Sequence, residues 1–191
     1  SRHTWVVLPA PLINSTIEMK LLLITTIAAV VLVGCGERLE ISQKDKRNLL
    51  IAFEDAVQRG DIKTVEKALI VGADPNKLVN DNNPVLLVAA QEGWTKIVRL
   101  LIKKGADVNV SNNNGWTPLH ASARFAKAEV VKLLIDSEAQ LNSKIHSATS
   151  TFGKQFIGHT PLDSLNIGPS PPTRAKKETA DLLRKHGGKT G

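Results

Sequence analysis

Cys35 is the only thiol in the chain, so thiolate chemistry has one place to occur and no intramolecular disulfide can form. The five histidines are His3, His120, His146, His159 and His186. None stands in a close helical pair with a carboxylate ligand set, so the sequence shows no metal constellation. It also shows no Gly-rich phosphate loop, no Gly-x-Ser-x-Gly elbow and no His-Glu-x-x-His helix. Ser164, His159 and Asp163 lie near one another, but a hydrolase assembled from them would be a coincidence of composition. These residue types support neither catalysis nor a cofactor.

His120 has a better use. In Thr117-Pro118-Leu119-His120 the Thr117 hydroxyl is placed to accept from the His120 backbone N–H as a helix N-cap. Pro118 falls at the first helical position, where a missing N–H costs nothing. The His120 side chain can reach back towards Thr117 and close a capping-box-like pair. His120 is therefore expected to be a structural cap, and His159 an exposed loop residue.

This start belongs to a pattern that repeats after about 33 residues, the mark of a stacked array. Gly72-Ala73-Asp74-Pro75-Asn76 falls on Gly105-Ala106-Asp107-Val108-Asn109, Gly60 falls on Gly93, and Pro84-Val85-Leu86 falls on Thr117-Pro118-Leu119. In the first unit, Leu49, Leu50, Phe53, Ala56 and Val57 mark an amphipathic helix from near Lys46 to Gly60. Ile62, Val65, Ala68 and Leu69 mark a second, which Gly72 ends. The second unit carries Leu86, Leu87, Ala89 and Ala90, then Ile97, Val98, Leu100, Leu101 and Ile102, with turns at Gly93 and Gly105. The third carries Leu119, then Val130, Val131, Leu133 and Leu134. Glu138 stands where Gly72 and Gly105 stood. If its backbone stays left-handed it costs roughly 1–2 kcal/mol; otherwise the third unit ends differently. In the fourth unit seventeen residues separate Asn142 from Thr160, against seven between Asn109 and Thr117. Pro169, Pro171 and Pro172 lengthen the link to a last helix, Glu178 to His186, with Leu182 and Leu183 inward and Lys177, Asp181 and Lys185 outward.

Gly-Trp-Thr-Pro-Leu-His, a helix pair, and Gly-Ala-Asp-Val-Asn resemble ankyrin repeats over about Lys46 to Gly188. The resemblance implies an all-α solenoid of about four helix-turn-helix units, 46–76, 77–109, 110–142 and 143–188, joined by hairpin-like loops. It implies protein binding on a concave face made of loop tips and first helices. By repeat position that face would present Asp55, Gln58 and Arg59, then Lys77, Val79, Asp81, Gln91 and Glu92, then Ser111, Asn113, Arg124 and Phe125. Trp116 would either pack on the next hairpin or touch a partner. Trp94, after a turn glycine, suits a partly buried packing role better than an exposed anchor. The long loop 143–159, with Phe152 and Phe156, is the best place for added specificity, since unusually long loops are often functional.

The N-terminal quarter reads as an address. Lys20, the apolar run Leu21 to Gly34 and a small residue at the cut have the order of a secretory signal peptide over 19–34. The run is shorter than the roughly 20 residues of a membrane-spanning helix. Leu32-Val33-Gly34-Cys35 resembles the lipobox of bacterial lipoproteins, which implies diacylglycerol on Cys35, cleavage before it and acylation of the new amino terminus. Two or more acyl chains anchor stably where one binds marginally. Met19 is the sole methionine, so residues 1–18 are expected to be upstream sequence without function. Residues 35–45 would be a tether. Gly36, where aspartate would retain a Gram-negative lipoprotein in the inner membrane, leans towards the periplasmic face of the outer membrane.

Net charge is +7 among 191 residues, but the sign changes from repeat to repeat at equivalent outer-helix positions: Lys63 and Glu66, Lys96 and Arg99, Glu129 and Lys132. No basic stripe forms, so nucleic acid is not expected as a partner. Arg174, Lys176 and Lys177 form a solvated face or touch anionic lipid head groups. The expected function is a membrane-tethered protein-binding module without catalysis. The alternative is a protective or inhibitory partner of a secreted or periplasmic enzyme.

Overall fold

Ser42 opens the first helix. Its hydroxyl accepts from Lys44 N–H at 3.2 Å, so α1 (Gln43–Arg59) begins earlier than the Lys46 expected from apolar spacing. Phe53, Ala56 and Val57 are its buried stripe, and Gly60 ends it in the left-handed conformation. Asp61 then caps α2 (Ile62–Ile70), accepting from Lys63 N–H, Thr64 N–H and the Thr64 hydroxyl. The side-chain bond from Thr64 and these backbone donors hold the Asp61 carboxyl below its ordinary value.

The same alternation of inner and outer helices runs through the chain. A two-residue antiparallel pair, β1 (Leu78–Val79) with β2 (Asn83–Pro84), leads into α3 (Val85–Glu92) and α4 (Thr95–Lys103). Then come α5 (Pro118–Arg124) with α6 (Ala128–Asp136), and α7 (Pro161–Ser164) with α8 (Thr173–Lys185). The computed structural model describes residues 42–79, 82–146, 156–166 and 173–191, and the eight helices are those of the described residues. The leader 19–34 and Cys35, Asp81 and Phe152 lie outside them. The described residues fall within one unit, Ile41–Gly191.

The helices stack in two rows. In the inner row α1, α3, α5 and α7 pack in succession; in the outer row α2, α4, α6 and α8 do the same. Between the rows runs one continuous apolar core, from Phe53 and Val65 through Leu86, Ile97 and Leu101 to Leu119, Leu134 and Leu183. This is an all-α repeat solenoid, and the sequence periodicity identified its inward residues. The small residues Ala89, Ala90 and Ala123 are buried in it, where inner helices come close.

Three positions break the pattern. Pro84 caps α3 without a side-chain bond, and Leu87 stands in the place of His120, so the second unit has no polar cap. Glu138 does take the left-handed conformation, with φ 65°. Its turn is the same as the glycine turn: Glu138 N–H to Ile135 O and Ala139 N–H to Leu134 O, both 3.0 Å, repeat Gly105 N–H to Ile102 O and Ala106 N–H to Leu101 O, both 3.0 Å. The packing of the stack imposes the turn, and the glutamate carries the strain. Ala126 does likewise, with φ 49°, at the position of Gly60 and Gly93.

The fourth unit departs most from the sequence expectation. Its inner helix α7 is a single turn, and α8 starts at Thr173, five residues before the expected Glu178. Thr173 follows Pro172 directly, so the helix begins as soon as the proline-containing link ends. Lys177, Asp181 and Lys185 face outward as expected, and Leu183 is fully buried.

Candidate functional site

The site is built on the inner row, where α3 and α5 run side by side. At the head of α5 the Thr117 box forms: His120 N–H donates to Thr117 Oγ1 at 3.4 Å, and Thr117 N–H donates to His120 Nδ1 at 3.3 Å. Since a backbone N–H only donates, Nδ1 must accept and the ring proton sits on Nε2. Nε2 faces the carbonyl of His159 at 3.2 Å, which only accepts. The neutral imidazole is thus specified from both sides. Burial pushes its pKa down to about 4, against the carbonyls of His159 and Ser143, which favour the charged form. His120 is a structural cap as expected, and it also ties the third unit to the fourth.

The His159 carbonyl also accepts from Ile145 N–H at 3.1 Å, and Gly158 N–H donates to Ile145 O at 2.7 Å. The long loop is therefore closed at its base, with Ile145 buried. His159 is half-buried rather than exposed, because Phe156 packs edge-on against it at 5.8 Å. Thr160 repeats the capping box with Asp163. Its N–H donates to Asp163 Oδ2 at 3.0 Å, and Gly191 N–H adds a donor at 2.8 Å. Burial works to raise the Asp163 pKa, but the donors from Thr160 and Gly191 outweigh it and the value is lowered.

From this frame, Trp116 and α5 present a cleft of about 170 Å³. The α3 side is Leu87 and Gln91, the α5 side is Ala121, Arg124 and Phe125, and Trp116 with the asparagines of the loop tips closes the end. Arg124 is half-buried, with its guanidinium carbon 5.5 Å from the Trp116 ring centroid and 5.5 Å from that of Phe125. Stacking on two rings fixes a guanidinium that would otherwise sample many rotamers. Trp116 is itself held edge-on against His120 at 5.8 Å. It packs and lines the cleft at once.

Of the residues predicted for binding, the structure gathers Gln91, Trp116, Arg124 and Phe125 at this cleft. Glu92 lies at its margin, bonded to the Gln91 amide at 3.1 Å. Ser111 and Asn113 are exposed on the neighbouring loop tip. Asp55 and Arg59 are an exposed ion pair on α1, and Gln58 is exposed beside them; none lines the cleft. Lys77 pairs with Glu54 at 2.6 Å. Val79 is a correction. Its side chain is 4% exposed and belongs to the core, because the inward position of the β1 strand falls on it. Phe156 sits at the loop base against His159, apart from the cleft.

Sequence reasoning named Asn113 but missed Asn83, Asn112 and Asn114, the asparagines that line the cleft. Asn112 Oδ1 accepts from Asn114 N–H at 3.0 Å and Trp116 N–H at 3.1 Å, and its amide donates to Asn83 Oδ1 at 2.8 Å. It therefore shapes the loop that carries Trp116 and joins it to the preceding hairpin. The run Asn112-Asn113-Asn114 before Gly115 was the available signal.

A larger hollow of about 680 Å³ lies away from all of this, between Gly60, Ile62, Trp94, Lys96, Arg99 and Glu129. It is the open gap between successive helix turns on the outer side. Trp94 is 37% exposed there, and its ring lies over Gly60 so closely that an added Cβ would come within 2.7 Å of it. That is the packing role expected for Trp94. The smaller cleft is the better site, because converging polar groups, not volume, give specificity.

No curated protein matches the chain. Residues 53–145 match the family model for ankyrin repeats, in 3 copies. With the two-row helix stack, that match shows ankyrin repeats over these residues, a fold that serves as a protein-interaction module.

Proposed function

We propose that the chain is an exported, lipid-anchored binding module that docks one protein on the face lined by its loop tips and inner helices. The observation that carries the docking face is the convergence of Gln91 from one repeat with Trp116, Arg124 and Phe125 from the next. The module has no chemistry of its own; it holds a partner by shape and by fixed polar groups. Pull-down of the partner with the full chain tests this reading. Arg124→Ala and Phe125→Ala should each weaken capture at least tenfold. Undiminished capture by both variants would move the binding surface elsewhere.

The anchor rests on the order of Lys20, the apolar run Leu21–Gly34 and Cys35. Acylated Cys35 would fix the module to the bacterial cell envelope, on the periplasmic face of the outer membrane in a Gram-negative cell. Cys35→Ser should abolish processing and release the protein from acyl-dependent membrane retention. If the variant is processed and retained like the parent, the anchor reading fails.

A further inference from the structure

The cleft between α3 and α5 contains one charge, and none of the described residues neutralises it. Its lining side chains are amides, hydrocarbons and aromatic rings, with Arg124 the single ionic group. Among the described residues no carboxylate pairs with Arg124; the ion pairs present are Asp55–Arg59, Glu54–Lys77 and Asp181–Arg184. Arg124 Nε is buried and has no acceptor. A buried donor on a cation is costly to leave unmade, and native structures seldom do so without a use. The two rings hold the guanidinium plane in place at 5.5 Å each. The entropy of ordering the side chain is thus met before any ligand arrives.

We propose that Arg124 is a carboxylate receptor, and that the partner docks by inserting an aspartate or glutamate side chain of an acidic segment into this cleft. The proposal rests on the docking face inferred above and adds the chemistry of its occupant. A guanidinium offers a carboxylate two parallel N–H donors, a fit that a lysine ammonium does not provide. Gln91 stands across the cleft on α3; its amide spends one N–H on Glu92 at 3.1 Å, and the second N–H can serve the carboxylate or the peptide backbone. A volume of about 170 Å³ is sized for one side chain rather than for a folded element. Trp116 and Phe125 supply the apolar walls that exclude water from the ion pair and strengthen it.

A random-peptide display library selected on the immobilised full chain tests this. Peptides that compete with one another for the face should share an acidic residue. In the best of them Glu→Gln, or Asp→Asn, should weaken binding at least tenfold on the parent chain and less than twofold on Arg124→Met. Arg124→Met keeps an apolar stem against the rings, and thermal melting checks that it folds. Arg124→Lys should restore only part of the affinity, since it keeps the charge and loses the fork. Selected peptides that lack acidic residues, or an acidic peptide bound equally well by Arg124→Met, would overturn the proposal. Two failures remain distinct. Peptides lost on Phe125→Ala but indifferent to Arg124 would leave the docking face and remove the carboxylate. Peptides indifferent to Gln91, Arg124 and Phe125 together would remove the face itself. Self-association of the full chain that Arg124→Met abolishes would make a second copy the occupant, and would equally overturn the proposal.

Discussion

His120 is the residue on which acid sensitivity should turn. Its folded pKa, about 4, lies below the ordinary value of 6.5, so the unfolded chain takes up the proton first as pH falls. Stability from this group is complete above about pH 6.5 and is lost between there and about pH 4. The total is on the order of 3 kcal/mol. Urea unfolding across that range should show the loss, and His120→Gln should flatten the profile while lowering stability at pH 7. Asp163 works in a separate window: its pKa is lowered, so its contribution is present above the ordinary carboxylate value of 3.8 and is lost only on further acidification. Glu138 makes the second residue-scale prediction. Its left-handed φ of 65° strains any side chain, and Gly105 in the equivalent turn meets nothing within 4 Å of a built Cβ, so the strain lies in the backbone. Glu138→Gly should therefore stabilise the protein by about 1 kcal/mol in urea unfolding, the relief of strain exceeding the added freedom of the unfolded chain. Sequence comparison between repeats found the Glu138 anomaly and left its outcome open. It did not find Ala126, because an alanine in a helical neighbourhood raises no flag.

At the scale of elements, the asparagine closing each repeat fastens one hairpin turn to the next. Asn76 accepts from Asp107 N–H at 2.7 Å and donates to Gly105 O at 3.2 Å. Asn142 repeats this with Lys189 N–H at 2.7 Å and Gly187 O at 3.2 Å. Asn109 keeps only the accepting half, from Gln140 N–H at 2.7 Å. Asn142→Ala should cost about 1–2 kcal/mol and Asn109→Ala about 1 kcal/mol or less, from the number of bonds lost. Denaturant titration of each variant against the parent checks the order. The spacing of Gly-Ala-Asp-x-Asn showed that these residues recur. What the final asparagine does was hidden, because its partners lie a whole repeat away. For the same reason the periodicity named the helix faces correctly but misplaced Val79: a two-residue strand carries too little pattern to assign its inward side. The early start of α8 was hidden by a polar first turn, Thr173 to Lys177, with only Ala175 to mark a core-facing side.

Across the molecule, each unit depends on its neighbours, and stability is close to a sum of unit and joint terms. Among the described residues the fourth unit has the shortest inner helix, the single turn of α7, and three prolines stand in the sequence between it and α8. Hydrogen exchange should show the amides of α7 and α8 opening at lower free energy than those of α3 and α4. Uniform protection from α1 to α8 would mean that the stack unfolds as a single unit. The cleft was legible in part. Repeat position placed Gln91, Arg124 and Phe125 on the inner face, but the stacking of Arg124 between two rings depends on side-chain directions that spacing does not give.

The single fastening at Asn109 has a mechanical consequence. Under a bending load the three asparagine clasps share the hairpin edge, and the one with a single bond carries the least of it. It lies on the hairpin edge between the second and third units, the same two units whose helices α3 and α5 wall the cleft. Where the cleft opens, the joint therefore leans on the Asn112–Asn83 bond and on the packing of α3 against α5. A partner that wedges its side chain beside Arg124 would load the Asn112–Asn83 bond and the α3–α5 contact, while the doubly fastened hairpin edges on either side keep the rest of the face in register.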